Sequence, residues 1–289
     1  MRLVTFYHRG VVIGALRDND VILLDSVAPD MQTLIEMGPS GLRRAAQIVA
    51  EAMPHNLVPL DHARLLAPMP RPNKNIVCLG MNYAEHARES ARFKGLPETL
   101  PENPVFFTKA PTAINHHEGE IPLDTSITQQ LDWEVELAFI IGTGGKNIKR
   151  ENALRHIWGY TIVNDISARD LQTKHQQFFK AKSMDGYCPI GPCILTADEV
   201  PDPSQLGLRL RVNGETKQDA SVSDLIFDIP TIIEVLSQGQ TLEPGDIIAT
   251  GTPSGVGMGR KPPEFLKVGD VVEAEIDRIG VLRNTVVRA

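Results

Sequence analysis

Three carboxylates alternate along one short segment. In Leu131-Asp132-Trp133-Glu134-Val135-Glu136-Leu137 the acids occupy every second position, with Trp133, Val135 and Leu137 between them. A period of two is the signature of a strand, so Asp132, Glu134 and Glu136 share one face. Like charges stacked on one face repel. A bound cation is the simplest device that makes the arrangement favourable. Glu134 and Glu136 stand roughly 7 Å apart at Cα, close enough for both side chains to converge on one ion. The apolar run from Leu137 to Ile141 argues that this segment is buried rather than a solvent-washed edge.

A third acid joins them. Tyr160 to Val163 reads as an apolar strand that ends in Asn164-Asp165, where a side chain emerges from a sheet. Asp165 could instead cap the segment that follows. Three carboxylates with no His or Cys beside them make a hard, all-oxygen site. That donor set favours Mg²⁺ or Mn²⁺, with Ca²⁺ as a substitute in crystals, over Zn²⁺. His86 and Glu89 are three residues apart in a helical stretch and share a face. A carboxylate beside an imidazole fixes its tautomer and raises its basicity, which suits a general base acting on water; a surface ion pair has the same spacing. Lys182 near a divalent ion can bind a carboxylate or stabilise an enolate, or can be a solvated lysine.

These residues need a scaffold. Leu3–Tyr7, Val11–Leu16 and Val21–Leu24 read as strands, followed by helical stretches at 31–37 and 41–53 with Ser40 as an N-cap. Pro54, Pro59, Pro68, Pro70 and Pro72 then mark a join, which divides the chain into a small module, 1–70, and a larger domain, 71–289. Asn75–Gly80 is a buried strand leading into the His86 helix, which Asn82 could cap. The Pro-bounded segment from Ser90 to Pro104 is long enough for a lid. His116 and His117 sit in a polar loop and read as solvated. Lys182 precedes a turn at Cys188-Pro189-Ile190-Gly191-Pro192. Asn213-Gly214 is a hairpin turn, and Asp228 opens a helix through Ser237. Thr250-Gly251-Thr252-Pro253-Ser254-Gly255-Val256-Gly257 is rich in glycine but lacks the Lys of a phosphate loop, which disfavours a nucleotide.

Five pieces of the sequence resemble the fumarylacetoacetate hydrolase superfamily, and its acylpyruvase-like branch in particular. They are Asp132-Trp133-Glu134-Val135-Glu136-Leu137, the run from Val163 to Gln172, the run from Gly80 to His86, the run from Lys182 to Pro192, and the Thr250–Gly257 loop. They occur in the family's order and cover roughly residues 70 to 289. The resemblance implies an α+β fold: a mixed β-sandwich or β-roll catalytic domain with a small N-terminal α/β module. It implies Glu134, Glu136 and Asp165 as metal ligands, His86 with Glu89 on a mobile lid as the activator of water, and Lys182 as a catalytic contact. It implies substrate contacts at Tyr83, Gln172 and Thr252, and a homodimer. The expected activity is hydrolysis of a C–C bond in a 2,4-dioxo acid of the acylpyruvate or fumarylpyruvate type, through a metal-stabilised enolate. The same chemistry serves oxaloacetate decarboxylation, isomerisation of unsaturated dioic acids such as 2-hydroxyhepta-2,4-diene-1,7-dioate, and hydrolysis of 2,4-dioxo-3-deoxy sugar acids. A catalytically silent 2-oxo acid binding protein is the alternative outside enzymes.

Composition narrows the partners. Of 289 residues, 42% are hydrophobic and 22% charged, enough for a sizeable core. A net charge of −7 with no basic run argues against nucleic acid. No apolar stretch is long enough to span a bilayer. Cys78, Cys188 and Cys193 are odd in number and lack zinc spacing, as expected of reduced thiols in a cytoplasmic protein.

Overall fold

A computed structural model describes residues 1–289. The strand Val135–Ile141 lies near the middle of a twelve-stranded mixed sheet. It runs antiparallel to Ile157–Asn164 on one side and to Ile247–Ala249 on the other. Beyond Ile247–Ala249 lie Ile76–Gly80 and Val105–Lys109; beyond Ile157–Asn164 lies Cys188–Thr196. A five-stranded sheet built from Gly207–Val212, Glu215–Ser221, Val271–Ile276, Gly280–Arg288 and Glu120–Leu123 packs against these central strands. The fold is α+β, with large mixed sheets and few helices.

Both faces of the central strand are buried, each in its own core. Val135, Leu137, Phe139 and Ile141 join Leu208, Leu210, Val272, Ala274 and Leu282 of the five-stranded sheet. Ala138 and Ile140 face the other way, into a cluster with Met31, Leu34, Ile35 and Ala45 of the N-terminal helices. The carboxylate-bearing face therefore turns apolar one residue pair beyond Glu136, which seals that end of the site from water.

The first seventy residues extend the large sheet rather than standing apart from it. Arg2–Tyr7 pairs with Val11–Arg17 and also with Cys188–Thr196, placing Leu3 opposite Ile194. We propose the division at residue 70 as a boundary between modules, not between sheets. Three local expectations change. Gly38–Ala50 is one helix with Pro39 in its first turn, so Ser40 lies inside it and Met37 is the cap. Residues 188–192 belong to the strand Cys188–Thr196, not to a turn. His116 and His117 are half-buried: His117 Nδ1 accepts from the Arg283 N–H, and His116 Nδ1 lies 2.8 Å from the His117 carbonyl. No helix is long and apolar enough to cross a membrane. All three cysteines are buried and unpaired.

The helix that carries His86 spans Ala84–Lys94 and ends at Gly95, whose φ of +64° gives the left-handed C-cap that glycine adopts without strain. Asn82 does not cap it. Its side chain instead donates to the carbonyls of Phe227 and Thr250 and accepts from the Phe227 N–H. Those bonds tie the start of this helix to the 250 loop and to the N-terminus of the helix Ile229–Ser237. Asp228 caps that second helix, accepting from the Thr231 N–H at 3.0 Å, and pairs with Arg150. Burial resists ionisation of Asp228, but hydrogen bonds from Arg150 and Thr231 outweigh it and hold the pKa at about 2. A carboxyl depressed in this way stabilises the fold above its unfolded pKa and loses that contribution as pH falls toward 2. Asp228→Ala is expected to cost about 1 kcal/mol near neutral pH, as loss of a helix cap does. The gap between parent and variant in denaturant midpoints should narrow between pH 4 and pH 2. A gap that stays constant over that range would assign the loss to packing.

Candidate metal centre and substrate cavity

Two short interruptions in facing strands make the site. Leu131–Asp132 pairs with Ser167–Ala168, and Val135 resumes pairing opposite Asn164. Between these ladders, Trp133-Glu134 and Asp165-Ile166 are left facing each other. The Asp165 N–H donates to the Glu134 carbonyl at 2.8 Å, and the Asn164 side chain accepts from the Glu134 N–H at 3.1 Å. Glu134, Glu136 and Asp165 are thereby brought together, with one donor oxygen of each lying within 4.8 Å of the others and all three buried. Asp132 shares their strand face but goes elsewhere. It accepts from the backbone N–H groups of Trp133, Gly257 and Met258 and from Arg169.

Three buried cations surround four buried carboxylates. Lys109 bonds to Asp165 and to the Ile166 carbonyl. Lys182 donates to Glu134, Asp165 and Ser167 at 2.8, 2.7 and 2.6 Å. Arg169 bridges Asp132 at 2.8 Å and Glu134 at 2.6 Å, and its third contact is the Gln172 side-chain oxygen. Burial resists ionisation of Glu134, yet Lys182 and Arg169 outweigh it and hold that carboxyl well below its usual range. Burial likewise works against the Lys182 ammonium, but Asp165 and Glu134 raise its pKa. Glu136 is the carboxylate left without a cation. Its only hydrogen bond is from the Gly251 N–H at 3.0 Å, and burial, then Asp165 and Glu134, push its pKa well above the usual value. An uncompensated buried carboxylate beside two others is a donor set that fits a hard divalent cation.

The dyad stands over this cluster. His86 Nδ1 lies 3.4 Å from Glu89 Oε2, and both residues are buried. The Gly255 N–H reaches both Glu89 oxygens at 3.2 Å. Glycine is required on either side of that carboxylate. Gly255 has a φ of +101°, and a Cβ on Gly259 would meet Glu89 Cγ at 2.0 Å. Glu89 also reaches a second, polar and open pocket beside Arg260, Lys261 and Glu264.

A narrow cavity joins dyad and carboxylates, lined among others by His86, Glu134, Glu136, Arg169, Gln172 and Lys182. Gln172 lies on its wall with its amide nitrogen uncommitted. Thr252 also lines it, but its hydroxyl already donates to the Val135 carbonyl and accepts from Gln218. Tyr83 does not line it. As the N-cap residue, with extended backbone, it bridges to Leu225, and its ring lies in the core. Lys109 and Arg169 are parts of the site to which no local sequence pattern assigns a role. A lysine closing the apolar run Val105–Lys109 is the signal that marks the first.

The sequence matches the Fumarylacetoacetate (FAA) hydrolase C-terminal family over residues 75–287. The chain belongs to the fumarylacetoacetate hydrolase family. Among its relatives, the oxaloacetate tautomerase YisK of Bacillus subtilis (strain 168) is 50% identical over 227 residues, which are 78% of this chain and 74% of the relative. The fumarylacetoacetate hydrolase of psychrophilic Exiguobacterium antarcticum superposes with a TM-score of 0.87 at 39% identity, over the whole of both chains. Maleylpyruvate hydrolase from Sphingobium sp. SYK-6, solved with manganese(II) and pyruvate, superposes with a TM-score of 0.82 at 30% identity, again over both whole chains.

The unpaired carboxyl of Glu136 gives a direct test. Glu136→Gln is expected to leave the melting temperature of the metal-free protein equal to or above the parent's, since a neutral amide replaces a buried carboxyl that no cation pairs with. Addition of Mn²⁺ should stabilise the parent by mass action and the variant hardly at all. Thermal unfolding with Mn²⁺ and with a chelator measures both; a Mn²⁺ shift retained in the variant would remove Glu136 from the ligand set.

Proposed function

We propose that this family member is a divalent-metal-dependent enzyme that interconverts the enol and keto forms of a 2-oxo acid of the oxaloacetate type. Glu134, Glu136 and Asp165 would hold Mg²⁺ or Mn²⁺. A divalent ion there would act as a Lewis acid toward the carboxylate and keto oxygens of the substrate. The observation that carries the reading is the His86–Glu89 dyad, a single buried base on the wall of a cavity floored by hard donors. The name and 50% identity of the Bacillus subtilis relative support the tautomerase assignment over hydrolysis, the activity expected from the motifs.

In the enol-to-keto direction C3 gains one proton and the enol oxygen loses one. Glu89 engages Nδ1 of His86, which leaves Nε2 as the ring nitrogen for the cavity. A neutral ring with Nδ1 protonated takes a proton from C3 in the keto-to-enol direction, and the imidazolium returns it in the other; the proton on the enol oxygen exchanges with solvent, which also resets the ring. The Gly255 N–H and the close seat on Gly259 hold Glu89 where it orients the ring. Lys182 and Arg169 keep Glu134 ionised, and Gln172 offers its free amide N–H groups to substrate oxygen. The same dyad can deprotonate water, so hydrolysis of a 2,4-dioxo acid is the second reading. The whole-chain likeness to maleylpyruvate hydrolase favours it.

The two readings separate by assay. Decay of the ultraviolet absorbance of enol-oxaloacetate, with Mn²⁺ or Mg²⁺, should be accelerated by the parent, while a panel of acylpyruvates should be cleaved slowly or not at all. His86→Ala should slow tautomerisation by about a hundredfold or more, the usual size of a general acid–base contribution, with Mn²⁺ stabilisation retained. Fast acylpyruvate cleavage without tautomerisation would replace the first reading by the second.

A further inference from the structure

The helix Ala84–Lys94 presents a stripe to the cavity. His86, Ser90 and Lys94 are spaced by four residues, and all three line it. Residues four apart lie on one helix face, about 6 Å apart along the axis. The stripe therefore sets a base, a hydroxyl and an ammonium in a row, with the ammonium outermost.

The cations of this cavity differ in what they have left to give. Lys182 spends its three N–H groups on Glu134, Asp165 and Ser167. Arg169 is held by Asp132, Glu134 and Gln172. Lys94 forms no ion pair, and neither its ammonium nor the Ser90 hydroxyl makes a hydrogen bond, in contrast to Arg92 on the same helix, which pairs with Glu85 and Glu98. Two aromatic rings connect the inner and outer lysines. Lys182 Nζ stands 5.1 Å from the centroid of Phe107, which meets Phe178 edge-on at 5.4 Å, and Lys94 Nζ stands 5.7 Å from the centroid of Phe178. The wall thus carries a neutralised cation at its inner end and an exposed one without a counter-ion at its mouth. Arg169 and Lys182 are close enough to repel the Lys94 ammonium, and Glu134 is the one acid close enough to attract it. An anion at the mouth would relieve that imbalance. Beyond Lys94 the cavity meets a groove with walls at Leu96, Pro97 and Leu100, in which Lys94 is the sole charged residue.

We propose that Lys94, with Ser90, recognises a second carboxylate at the far end of the substrate, so that the enzyme selects 2-oxo dicarboxylic acids over their uncharged-tail counterparts. This rests on the tautomerase reading. The bland alternative is a solvated lysine that merely complements the helix C-terminus.

The test compares oxaloacetate with its 4-methyl ester, which has the same carbon skeleton without the distal charge. Parent, Lys94→Met and Lys94→Arg are assayed for enol–keto interconversion with Mn²⁺. The ratio of kcat/KM for oxaloacetate over the ester should fall by about ten- to hundredfold in Lys94→Met, the value of a charge-assisted hydrogen bond. The loss should lie mainly in KM, and Lys94→Arg should restore most of it. An unchanged ratio in Lys94→Met overturns the proposal. Failure of the tautomerase reading is seen separately, as a parent that turns over neither compound. Calorimetric titration of the Mn²⁺-loaded proteins with 2-oxoglutarate and with 2-oxobutanoate then decides. A selective loss of 2-oxoglutarate affinity in Lys94→Met sustains the role of Lys94, and an equal change for both ligands overturns it.

Discussion

Four buried carboxylates, three of them held by three buried cations, are the constraint on which the structure turns. At the outer limit of 4.8 Å between ligand oxygens, two unit charges repel by about 3.5 kcal/mol at an effective dielectric constant of about 20. That repulsion between Glu134 and Asp165 is a sizeable share of the whole stability of an ordinary domain, about 5–15 kcal/mol, and the further cost of ionising Glu136 beside them is what raises its pKa. The fold tolerates the cluster because Lys109, Arg169 and Lys182 arrive from three different segments. Each is locked by at least one further bond, and the break of one such buried pair costs about 3–5 kcal/mol. Glu136 remains outside this compensation, and an acid without a cation is what distinguishes the cluster from a closed salt-bridge network.

Assembly of the cluster and assembly of the fold are one process. Arg169 joins Asp132 to Glu134, and Asp132 in turn holds the N–H groups of Gly257 and Met258. The glycine-rich loop is therefore pinned to the strand that bears the acids. Its Gly251 reaches Glu136 and its Gly255 reaches Glu89. Asn82 ties the same loop to the start of the dyad helix. The His86–Glu89 dyad and the acid cluster are thus registered through one loop, which explains why its sequence is dominated by residues that let backbone approach side chains closely.

Much of this was legible in the residues. The period-two acids and the Asn-Asp at a strand end pointed to Glu134, Glu136 and Asp165, and a three-residue spacing pointed to His86 and Glu89. Local patterns carry such information because the partners are neighbours on one strand or one helix face. The cations were harder. Lys109 and Asp165 are 56 residues apart and Arg169 and Asp132 are 37 apart, and no local period links them. Ser40 misled for the opposite reason: it sits where sequence suggests a helix cap, but the helix already begins at Gly38. That the N-terminal strands continue the central sheet through Leu3 and Ile194 is likewise a long-range fact.

The thiols that flank this centre acquire a property from it. Burial first, then the nearby Asp165 and Glu136, push the Cys78 thiol well above its ordinary pKa, and burial raises Cys188 to about 12 even with Lys109 close by. Neither cysteine presents the thiolate that peroxides attack and soft metals capture. Burial, aided at Cys78 by the neighbouring carboxylates, therefore keeps both sulfurs as protonated thiols beside the acid cluster.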